Sequence, residues 1–374
     1  MQELSQFFKG KKILITGHTG FKGAWLSRIL SNFGAQIFGY SLAPNTEPNL
    51  YTILEIRKAL AGEKIADIRN YQTLHDFVQK CEPEIIFHLA AQPLVRESYD
   101  DPLYTFEANV MGSANILEAA RHCPSIKSVA IVTTDKVYED KLSPGATSAK
   151  TGATHPFSPQ AVSSPIAAYM ESDRLGGHDP YSSSKACAEI VVDSYRKSFL
   201  NRKTTPNCPL VASARAGNVI GGGDWSKDRL VPDIIRAKEL KKTLAMRNPQ
   251  AIRPWQHVLD PLFGYLLLAK GLYEGNESLA CAYNFAPGEE NFITVSELVE
   301  KSGAKYDIIP DDLKHEAQIL KLDASKAKKE LGWGPKIGME KCLQWTFEWY
   351  EKFYSGQNMR AYTDEQIEKY LSIQ

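Results

Sequence analysis

The strongest constraint on the fold of this 374-residue chain is a glycine-rich turn between a predicted strand and a predicted helix. The apolar run Lys12–Thr16 (KILIT) is typical of a buried parallel strand. The turn follows at once, with Gly17, Gly20 and Gly23 in a GxxGxxG spacing, and apolar residues then recur at helical spacing over Phe21–Phe33. Such a turn lets the backbone approach a diphosphate at the positive end of a helix. We therefore predict a dinucleotide site here, with a plain tight turn as the alternative.

Strand and helix patterns continue to alternate up to about residue 216. Alternation of this kind predicts an α/β fold, a Rossmann-type doubly wound parallel sheet. We assign residues 1–216 to this dinucleotide-binding domain, with some later segments returning to it, and residues 217–374 to a smaller mixed α/β lobe for the substrate. The predicted strands are 12–16, 36–40, 84–89, 128–133 and 210–214, and the predicted helices are 21–33, 71–81, 104–122, 181–199, 233–241, 261–273, 295–301 and 336–353.

Charge and cysteine content exclude several classes of function. The 44 basic and 44 acidic side chains balance, and no basic block occurs, so we expect no nucleic-acid partner. Six dispersed cysteines without a CxxC pair predict free thiols in a reducing compartment and no metal site. No apolar run is long enough for a signal peptide or a membrane span. We expect a soluble, cytoplasmic protein with no membrane partner.

The residues after the second strand favour NAD over NADP as the dinucleotide. That strand ends in Tyr40–Leu42, and between Lys22 and Arg57 the only cation is Arg28, inside the predicted helix. A ribose 2′-phosphate needs a cation in this region. Asp67, with Ile68 beside it, is the acidic residue that we expect near the adenosine, and a plain loop aspartate is the alternative.

Two short segments carry the predicted catalytic groups. Tyr181 and Lys185 lie four residues apart at the start of a predicted helix, so they share one face. A nearby ammonium lowers the pKa of a tyrosine and makes it a usable base, although the YxxxK pattern alone also occurs by chance. Thr134 and Asp135 follow a predicted strand, where parallel sheets carry their sites. Thr134 would bond a substrate hydroxyl and Asp135 would act as an acid, or Asp135 simply caps a turn.

Five motifs give the chain a family resemblance. TGHTGFKG, HLAAQPLVRESY, TTDKVY, YSSSK and ARAGNVIGGGDW together resemble the extended short-chain dehydrogenase/reductases that act on nucleotide sugars. Within these, GHTGFKG, AAQPLVR, DKVY, NVIGGGDW, DRLVPDI and RNPQAIRPWQHV are similar to stretches of the CDP-glucose 4,6-dehydratases. The resemblance runs from about residue 11 to residue 345.

The resemblance implies a role for each matching residue. The catalytic set is Thr134, Asp135, Lys136, Tyr181 and Lys185. The NAD-binding set adds Gly17, Thr19, Gly20, Phe21, Lys22, Gly23, Asp67, Ile68, Leu89, Ala90, Ala91 and Asn109, with His88 beside them. The substrate-binding set is Gln92, Arg96, Asn218, Arg229, Arg253 and His257. Arginine suits bidentate diphosphate recognition, although Arg229 and Arg253 are equally compatible with surface ion pairs. Trp225 and Trp255 either stack on a base or pack internally.

The reaction that the resemblance implies is a redox-neutral dehydration of a nucleotide-diphosphate sugar such as CDP-glucose. Tyr181 takes the proton of the sugar 4-hydroxyl while hydride leaves carbon 4 for NAD. A base removes the acidified carbon-5 hydrogen, Asp135 protonates the departing 6-hydroxyl, and hydride returns to carbon 6. The product is a CDP-4-keto-6-deoxyglucose. The family commonly forms homodimers or homotetramers through helices that include the Tyr181 helix.

The sequence departs from related dehydratases in two places. No glutamate follows Asp135, so the base for carbon 5 stays open, with Lys136 as a candidate. The segment 141–179 is longer than expected, and its start, Lys141–Ala168, reads as a functional loop, a lid or local disorder. Two other functions stay open: a nucleotide-sugar 4-epimerase or 4-dehydrogenase, and a non-catalytic NAD-binding sensor on the same fold.

Overall fold

The main sheet of the computed structural model has seven strands, all paired in parallel. The structure describes residues 2–140, 168–309 and 321–373. In chain order the strands are β1 (Lys12–Thr16), β2 (Gln36–Ser41), β3 (Leu60–Ile65), β4 (Ile85–His88), β5 (Ser128–Val132), β6 (Leu210–Arg215), β7 (Val219–Ile220), β8 (Leu244–Met246), β9 (Ile252–Pro254), β10 (Gln256–His257), β11 (Ala282–Asn284), β12 (Phe292–Thr294) and β13 (Tyr306–Ile308).

The order of strands in the main sheet is β3-β2-β1-β4-β5-β6-β11. Successive strands are added toward one edge of the sheet from β1 to β3 and toward the other edge from β4 to β6. This switch creates a crevice at the carboxyl ends of β1 and β4, where open α/β sheets bind ligands. This order confirms the predicted Rossmann-type doubly wound fold. Three two-stranded sheets, β10-β7, β12-β9 and β13-β8, lie outside it.

Helices connect the strands and cover both faces of the sheet. They are α1 (Gln2–Phe8), α2 (Phe21–Asn32), α3 (Leu50–Ile53), α4 (Ile56–Ala59), α5 (Tyr71–Cys81), α6 (Val95–Asp100), α7 (Pro102–Phe106), α8 (Gly112–Arg121), α9 (Pro180–Ser198), α10 (Leu230–Glu239), α11 (Leu259–Tyr273), α12 (Val295–Ser302), α13 (Ser325–Leu331), α14 (Met339–Tyr354) and α15 (Met359–Ser372). A π-helical turn spans Glu107–Met111, and 3₁₀ turns span Asp135–Val137, Glu277–Leu279 and Glu289–Asn291.

Alternation along each strand divides the apolar core into two layers. Ile13 and Ile15 of β1 pack in the layer that contains α2 and α11, whereas Leu14 between them packs in the layer that contains α5, α8 and α9. Successive side chains of a strand point to opposite faces, so a strand covered on both sides has no polar face. Thus the near-continuous apolar runs of the sequence follow from helices on both faces.

Two elements differ from the sequence-based prediction. The single helix predicted over 104–122 is divided into α7, the π-helical turn and α8. Helix α15 lies beyond the last predicted helix and packs on α2, where Arg28 Nε donates to Asp364 Oδ1 at 2.6 Å. The strand β11 follows residue 216 in sequence yet pairs with β6 in the main sheet. The assignment of residues 1–216 and 217–374 to two domains stays a prediction.

None of the described helices has both the length and the apolar character that are needed to cross a membrane.

Candidate active site

Two cavities meet at the crevice beside β1 and β4. The glycine-turn cavity, of about 310 Å³, runs from Gly17 past Asp67 to Lys185. The lobe cavity, of about 370 Å³, runs from Thr134 to the segment 244–248. Residues from four parts of the chain line both cavities: Phe21, Lys22, Pro93, Leu94, Tyr181, Ala216, Asp224 and Arg229. A group bound in one cavity would therefore meet a group bound in the other at Tyr181.

The glycine-rich turn is packed too closely for side chains at two of its three glycines. Gly17 has φ +76°, and a Cβ there would lie 2.7 Å from the backbone nitrogen of Ala90. A Cβ on Gly23 would lie 2.1 Å from the carbonyl oxygen of Gly17. Helix α2 then begins at Phe21 with Gly20 as its N-cap, and no side chain caps its first amides. Uncapped amides at the positive end of a helix that opens on a cavity suit a diphosphate.

The far end of the glycine-turn cavity is polar, and β2, which leads to it, contains no lysine or arginine. Thr19 Oγ1 lies 2.8 Å from Ser41 Oγ and donates to the carbonyl of Leu42 at 2.9 Å. Asp67 accepts from the backbone and from Nε of Arg69, at 2.9 and 3.0 Å. Further predicted residues that line this cavity are Ile68, Leu89, Ala90 and Ala91; the segment 41–46, which the sequence reasoning missed, lines it as well.

Tyr181 and Lys185 are both buried at the start of α9. Asp179 is the N-cap of this helix and accepts from the Ser182 amide at 2.9 Å, which orients the first turn. Lys185 Nζ donates to the carbonyl of Val132 at the end of β5, at 3.2 Å. Burial, opposed by the charge of Glu189, lowers the pKa of Lys185 to about 8. The two side chains thus lie where the cavities join.

The pKa of Tyr181 moves in the direction opposite to the one predicted. Burial raises it to about 12, while a hydrogen bond with Thr134 and the charge of Arg229 act to lower it and the charge of Asp135 to raise it. The predicted lowering of this pKa is therefore wrong. The reason is that removing a phenolate from water costs more free energy than Thr134 and Arg229 contribute to stabilising it.

Thr134, Asp135 and Lys136 form a tight turn after β5. Thr134 Oγ1 donates to Asp135 Oδ1 at 2.9 Å, and Lys136 Nζ lies 3.8 Å from the same oxygen. Asp135 is 1% exposed, and its Oδ2 has no hydrogen-bond partner within the part of the chain that the structure describes. Because Thr134 also acts on the pKa of Tyr181, the phenol, the Thr134 hydroxyl and this carboxyl group lie next to one another. The arrangement can place a base and an acid at two points of a bound molecule.

Four of the six predicted substrate-binding residues line the lobe cavity. Arg229 Nη1 donates to Asp224 Oδ2 at 2.8 Å, and the Arg229 charge counteracts the burial of Asp224 so that the pKa of this acid falls. Arg253 is buried and donates to the carbonyl of Ile252 at 3.0 Å. The other two are Asn218, whose buried Nδ2 lacks a described partner, and Arg96, which lies 3.8 Å from Asp228.

The structure does not bring His257, Gln92 and Asn109 to the positions expected of them. His257 is fully buried between the rings of Trp25 and Trp345 and lines neither cavity, so its assignment to the substrate is corrected. Burial lowers the pKa of His257 to about 3.

Gln92 lines the glycine-turn cavity rather than the lobe cavity, and its side-chain amide donates to Thr105 Oγ1 at 2.9 Å. Asn109 is buried behind Gln92. Its side chain accepts from the backbone N–H of Gln92 at 2.8 Å and donates to Ser184 Oγ at 2.8 Å. Asn109 therefore lies behind the cavity wall and supports the loop that contains Gln92. His88 is also buried outside both cavities, 2.7 Å from Thr16 Oγ1.

Sequence reasoning missed two residues that shape the site. Asp224 lines both cavities and pairs with Arg229, and its signal was the acid in the GGGDW motif. Gly217 lies against Asp135 and has no signal in its own neighbourhood, because its neighbour is distant in sequence. Trp225 packs against Trp349 and lines the glycine-turn cavity, whereas Trp255 lines the lobe cavity. The loop or lid predicted over 141–168 lies, except for Ala168, outside the described residues.

Known proteins resemble this chain over most of its length. The sequence profile of the family described as GDP-mannose 4,6 dehydratase matches residues 14–346. A CDP-glucose 4,6-dehydratase of Salmonella typhimurium is 39% identical over 373 residues, which cover 98% of each chain. A dTDP-glucose 4,6-dehydratase of Haemophilus influenzae is 25% identical over 367 residues, covering 90% of this chain and 97% of that protein.

Solved structures share the fold over most of the chain. A dTDP-glucose 4,6-dehydratase from Bacillus anthracis, in complex with NAD, superposes with a TM-score of 0.71 at 24% identity, covering 93% of this chain and 99% of that one. A dTDP-glucose 4,6-dehydratase from Streptomyces venezuelae, also with NAD bound, gives a TM-score of 0.72 at 22% identity and covers 92% and 98% of the two chains.

Proposed function

Because this chain belongs to the GDP-mannose 4,6 dehydratase family, we propose that it is an NAD-dependent nucleotide-sugar 4,6-dehydratase that converts CDP-glucose to CDP-4-keto-6-deoxyglucose. The observation that carries this proposal is that the phenol of Tyr181, the hydroxyl of Thr134 and the carboxyl group of Asp135 lie side by side at the junction of two cavities. A base and an acid joined in this way match a reaction that oxidises one carbon and expels water from another. The choice of CDP-glucose rests on the relative from Salmonella typhimurium.

The glycine-turn cavity fits a dinucleotide. Gly17, Gly20 and Gly23 would hold the diphosphate against the uncapped start of α2. Asp67 faces the other end, and a carboxylate there opposes a ribose 2′-phosphate, so NAD rather than NADP is the proposed cofactor. When bound, NAD would supply the acceptor for hydride and later its donor.

Tyr181 is the proposed base for the proton of the sugar 4-hydroxyl. Its partner Lys185 is buried one helical turn away and carries the charge that a phenolate needs nearby. Thr134 acts on the pKa of the phenol, and its hydroxyl would form a hydrogen bond with the same sugar hydroxyl. These three groups set the position at which oxidation begins.

Asp135 is the proposed acid for the departing 6-hydroxyl. Asp135 lines the lobe cavity, and its Oδ2 has no described hydrogen-bond partner. Lys136, whose Nζ lies 3.8 Å from Oδ1, is our candidate for the carbon-5 base. An epimerase has no need of an acid at carbon 6, which makes Asp135 the residue that separates the two functions.

Three cationic side chains of the lobe cavity are proposed to bind the substrate. Arg229 and Arg253 would hold the diphosphate, because planar guanidinium groups match its oxygens in pairs. Asn218 offers an amide without a described partner to the sugar or the nucleotide, and Arg96 lines the same cavity.

We further propose a homodimer or homotetramer that works in the cytoplasm. Apolar side chains are exposed on neighbouring surface helices: Leu103 of α7 is 76% exposed, Met111 of the π-helical turn 53%, and Ile190 of α9 58%. A second copy of the chain would cover this surface. All six cysteines are free thiols, as in a reducing compartment.

The proposal is tested by incubating the protein with CDP-, dTDP-, GDP- and UDP-sugars and measuring the masses of the products. Loss of one water from CDP-glucose, with no cofactor consumed, supports the dehydratase. An unchanged mass with an altered sugar would instead identify an epimerase. No change with any nucleotide sugar, despite bound NAD, would indicate a non-catalytic sensor.

A further inference from the structure

A buried ion pair lies directly behind the Thr134–Lys136 turn. Glu189 of α9 and Arg215 at the end of β6 are 2% and 3% exposed. Arg215 donates from Nε to Glu189 Oε1 at 2.9 Å and from Nη2 to Oε2 at 3.1 Å. The pair thus has bidentate geometry, which fixes the orientation of both side chains. Neither residue lines either of the two cavities.

Each partner of this ion pair holds one end of the turn. Thr133, which precedes the turn, donates from Oγ1 to Glu189 Oε1 at 2.6 Å. Tyr138, which follows it, accepts at its hydroxyl from Arg215 Nη1 at 2.7 Å and donates to Asn284 Oδ1 at 2.6 Å. The residues between these two anchors are Thr134, Asp135, Lys136 and Val137.

The ion pair also lies in line with the tyrosine and lysine of α9. Tyr181, Lys185 and Glu189 are spaced by four residues, so they follow one face of this helix. The Glu189 charge favours the protonated form of Lys185 and opposes the lowering of its pKa by burial. One carboxylate therefore contacts the turn and acts electrostatically on Lys185.

We propose that the Glu189–Arg215 ion pair is a positioning device that holds the Thr134–Lys136 turn at both ends and keeps it in register with Tyr181 and Lys185. This inference rests on the proposed function, because it is that function which requires Tyr181 and Asp135 to act on carbons 4 and 6 of the same sugar. A buried ion pair contributes little to stability beyond what apolar residues of the same volume would provide, so a positioning role explains its presence better.

Two hydroxyls bonded to the same carboxylate provide a matched comparison. Thr133 leads into the turn, whereas Ser213 lies within β6 and donates to Glu189 Oε2 at 2.5 Å. Both residues are buried, and Thr133→Val or Ser213→Ala removes one hydrogen bond from Glu189. We expect Thr133→Val to lower kcat about 10- to 100-fold with KM changed less than about threefold, since small displacements of a catalytic group have effects of this size. Ser213→Ala should keep kcat within about threefold, and Thr133→Ser should restore it.

Two further measurements separate positioning from loss of folding or of cofactor. The midpoint temperature of thermal unfolding should fall by a similar amount in Thr133→Val and Ser213→Ala. Because Thr133 also lines the glycine-turn cavity, the dissociation constant of NAD is measured too and should stay within about threefold. Amide hydrogen exchange of residues 134–138 in the free protein should accelerate about tenfold or more in Thr133→Val only.

The outcomes distinguish this inference from the proposed function. Equal losses of kcat in Thr133→Val and Ser213→Ala, or unchanged exchange at 134–138, would overturn the positioning role. A wild-type protein that does not dehydrate CDP-glucose would overturn the function, while the exchange comparison would still decide whether the ion pair holds the turn.

Discussion

Asp135 Oδ2 occupies the space beside Gly217 where any other residue would carry its Cβ: that atom would lie 1.8 Å from the oxygen. The glycine is therefore required by the proposed catalytic acid. We expect Gly217→Ala to displace the carboxyl group and lower dehydration about 100-fold. Gly334 provides the control, because a Cβ there would have nothing within 4 Å, and Gly334→Ala should leave the rate within about twofold. The mass assay with CDP-glucose measures both, and full activity in Gly217→Ala would refute this relationship.

Removing the acid from Asp135 should separate the two halves of the reaction. In Asp135→Asn we expect oxidation at carbon 4 to continue, since Tyr181 and Lys185 are intact, while water loss falls about 10²- to 10⁴-fold. The near-ultraviolet absorbance of reduced NAD follows the first half, and product mass follows the second. Asp100→Asn, an exposed position on α6, is the control. Dehydration at the wild-type rate in Asp135→Asn would show that another group is the acid.

The pH dependence of kcat/KM should report the coupled Tyr181–Lys185 pair. Burial lowers the pKa of Lys185 to about 8 and raises the pKa of Tyr181 to about 12. Below about pH 8 both groups hold their protons, so no base is available, and kcat/KM should rise as pH increases through about 8.

A variant that keeps the positive charge tests this assignment. Arginine does not lose its proton in this range, so Lys185→Arg should move the rise in kcat/KM upward toward the pKa of Tyr181. Tyr181→Phe should lower kcat about 10²- to 10⁴-fold at every pH, because it removes the base. A pH profile unchanged in Lys185→Arg would contradict the coupling.

The exposed apolar surface on α9 should be an interface between copies of the chain. Ile190→Asp places a charge on that surface, and we expect it to raise the Kd for self-association at least about tenfold. The mass in solution should therefore shift toward that of the monomer. Ile308 on β13 is equally exposed, at 60% against 58%, so Ile308→Asp is the matched control and should keep the wild-type mass. Sedimentation velocity measures both variants. A monomeric wild type would exclude the interface.

The buried histidine His257 should make the protein less stable in acid. Its folded pKa is lowered to about 3 by burial, from 6.5, so below pH 6.5 the unfolded chain binds a proton that the folded chain does not. Stability should therefore fall as pH drops, by about 2 kcal/mol between pH 6.5 and about pH 5. His257→Asn removes this titration and should weaken the dependence of the urea midpoint on pH, part of which remains because burial also lowers the pKa of His88 to about 3. His122→Asn, at a side chain 45% exposed, should not flatten it.

Patterns short enough to lie within one element were predictable. The apolar run of β1, the glycines at 17, 20 and 23, and the helical spacing of α2 identify a Rossmann-type sheet, because each pattern is local and follows from the period of a strand or a helix. The same holds for Tyr181 and Lys185, whose four-residue spacing sets them on one face of α9. Beyond residue 216 the strands are only two or three residues long; the prediction missed α15 and, although it expected later segments to return to the first domain, it did not identify β11 as one of them.

The amino-acid sequence alone thus determined the fold class, the glycine-rich turn and the chemical types of the reacting groups, since these depend on neighbours in the chain. Tertiary structure alone decided that Gly217 makes room for Asp135, that His257 is enclosed by tryptophans, and that the pKa of Tyr181 rises. Each of these depends on burial or on residues far apart in sequence that meet only when the sheet and its helices have packed. Desolvation is a property of the surroundings in space, and no local spacing encodes it.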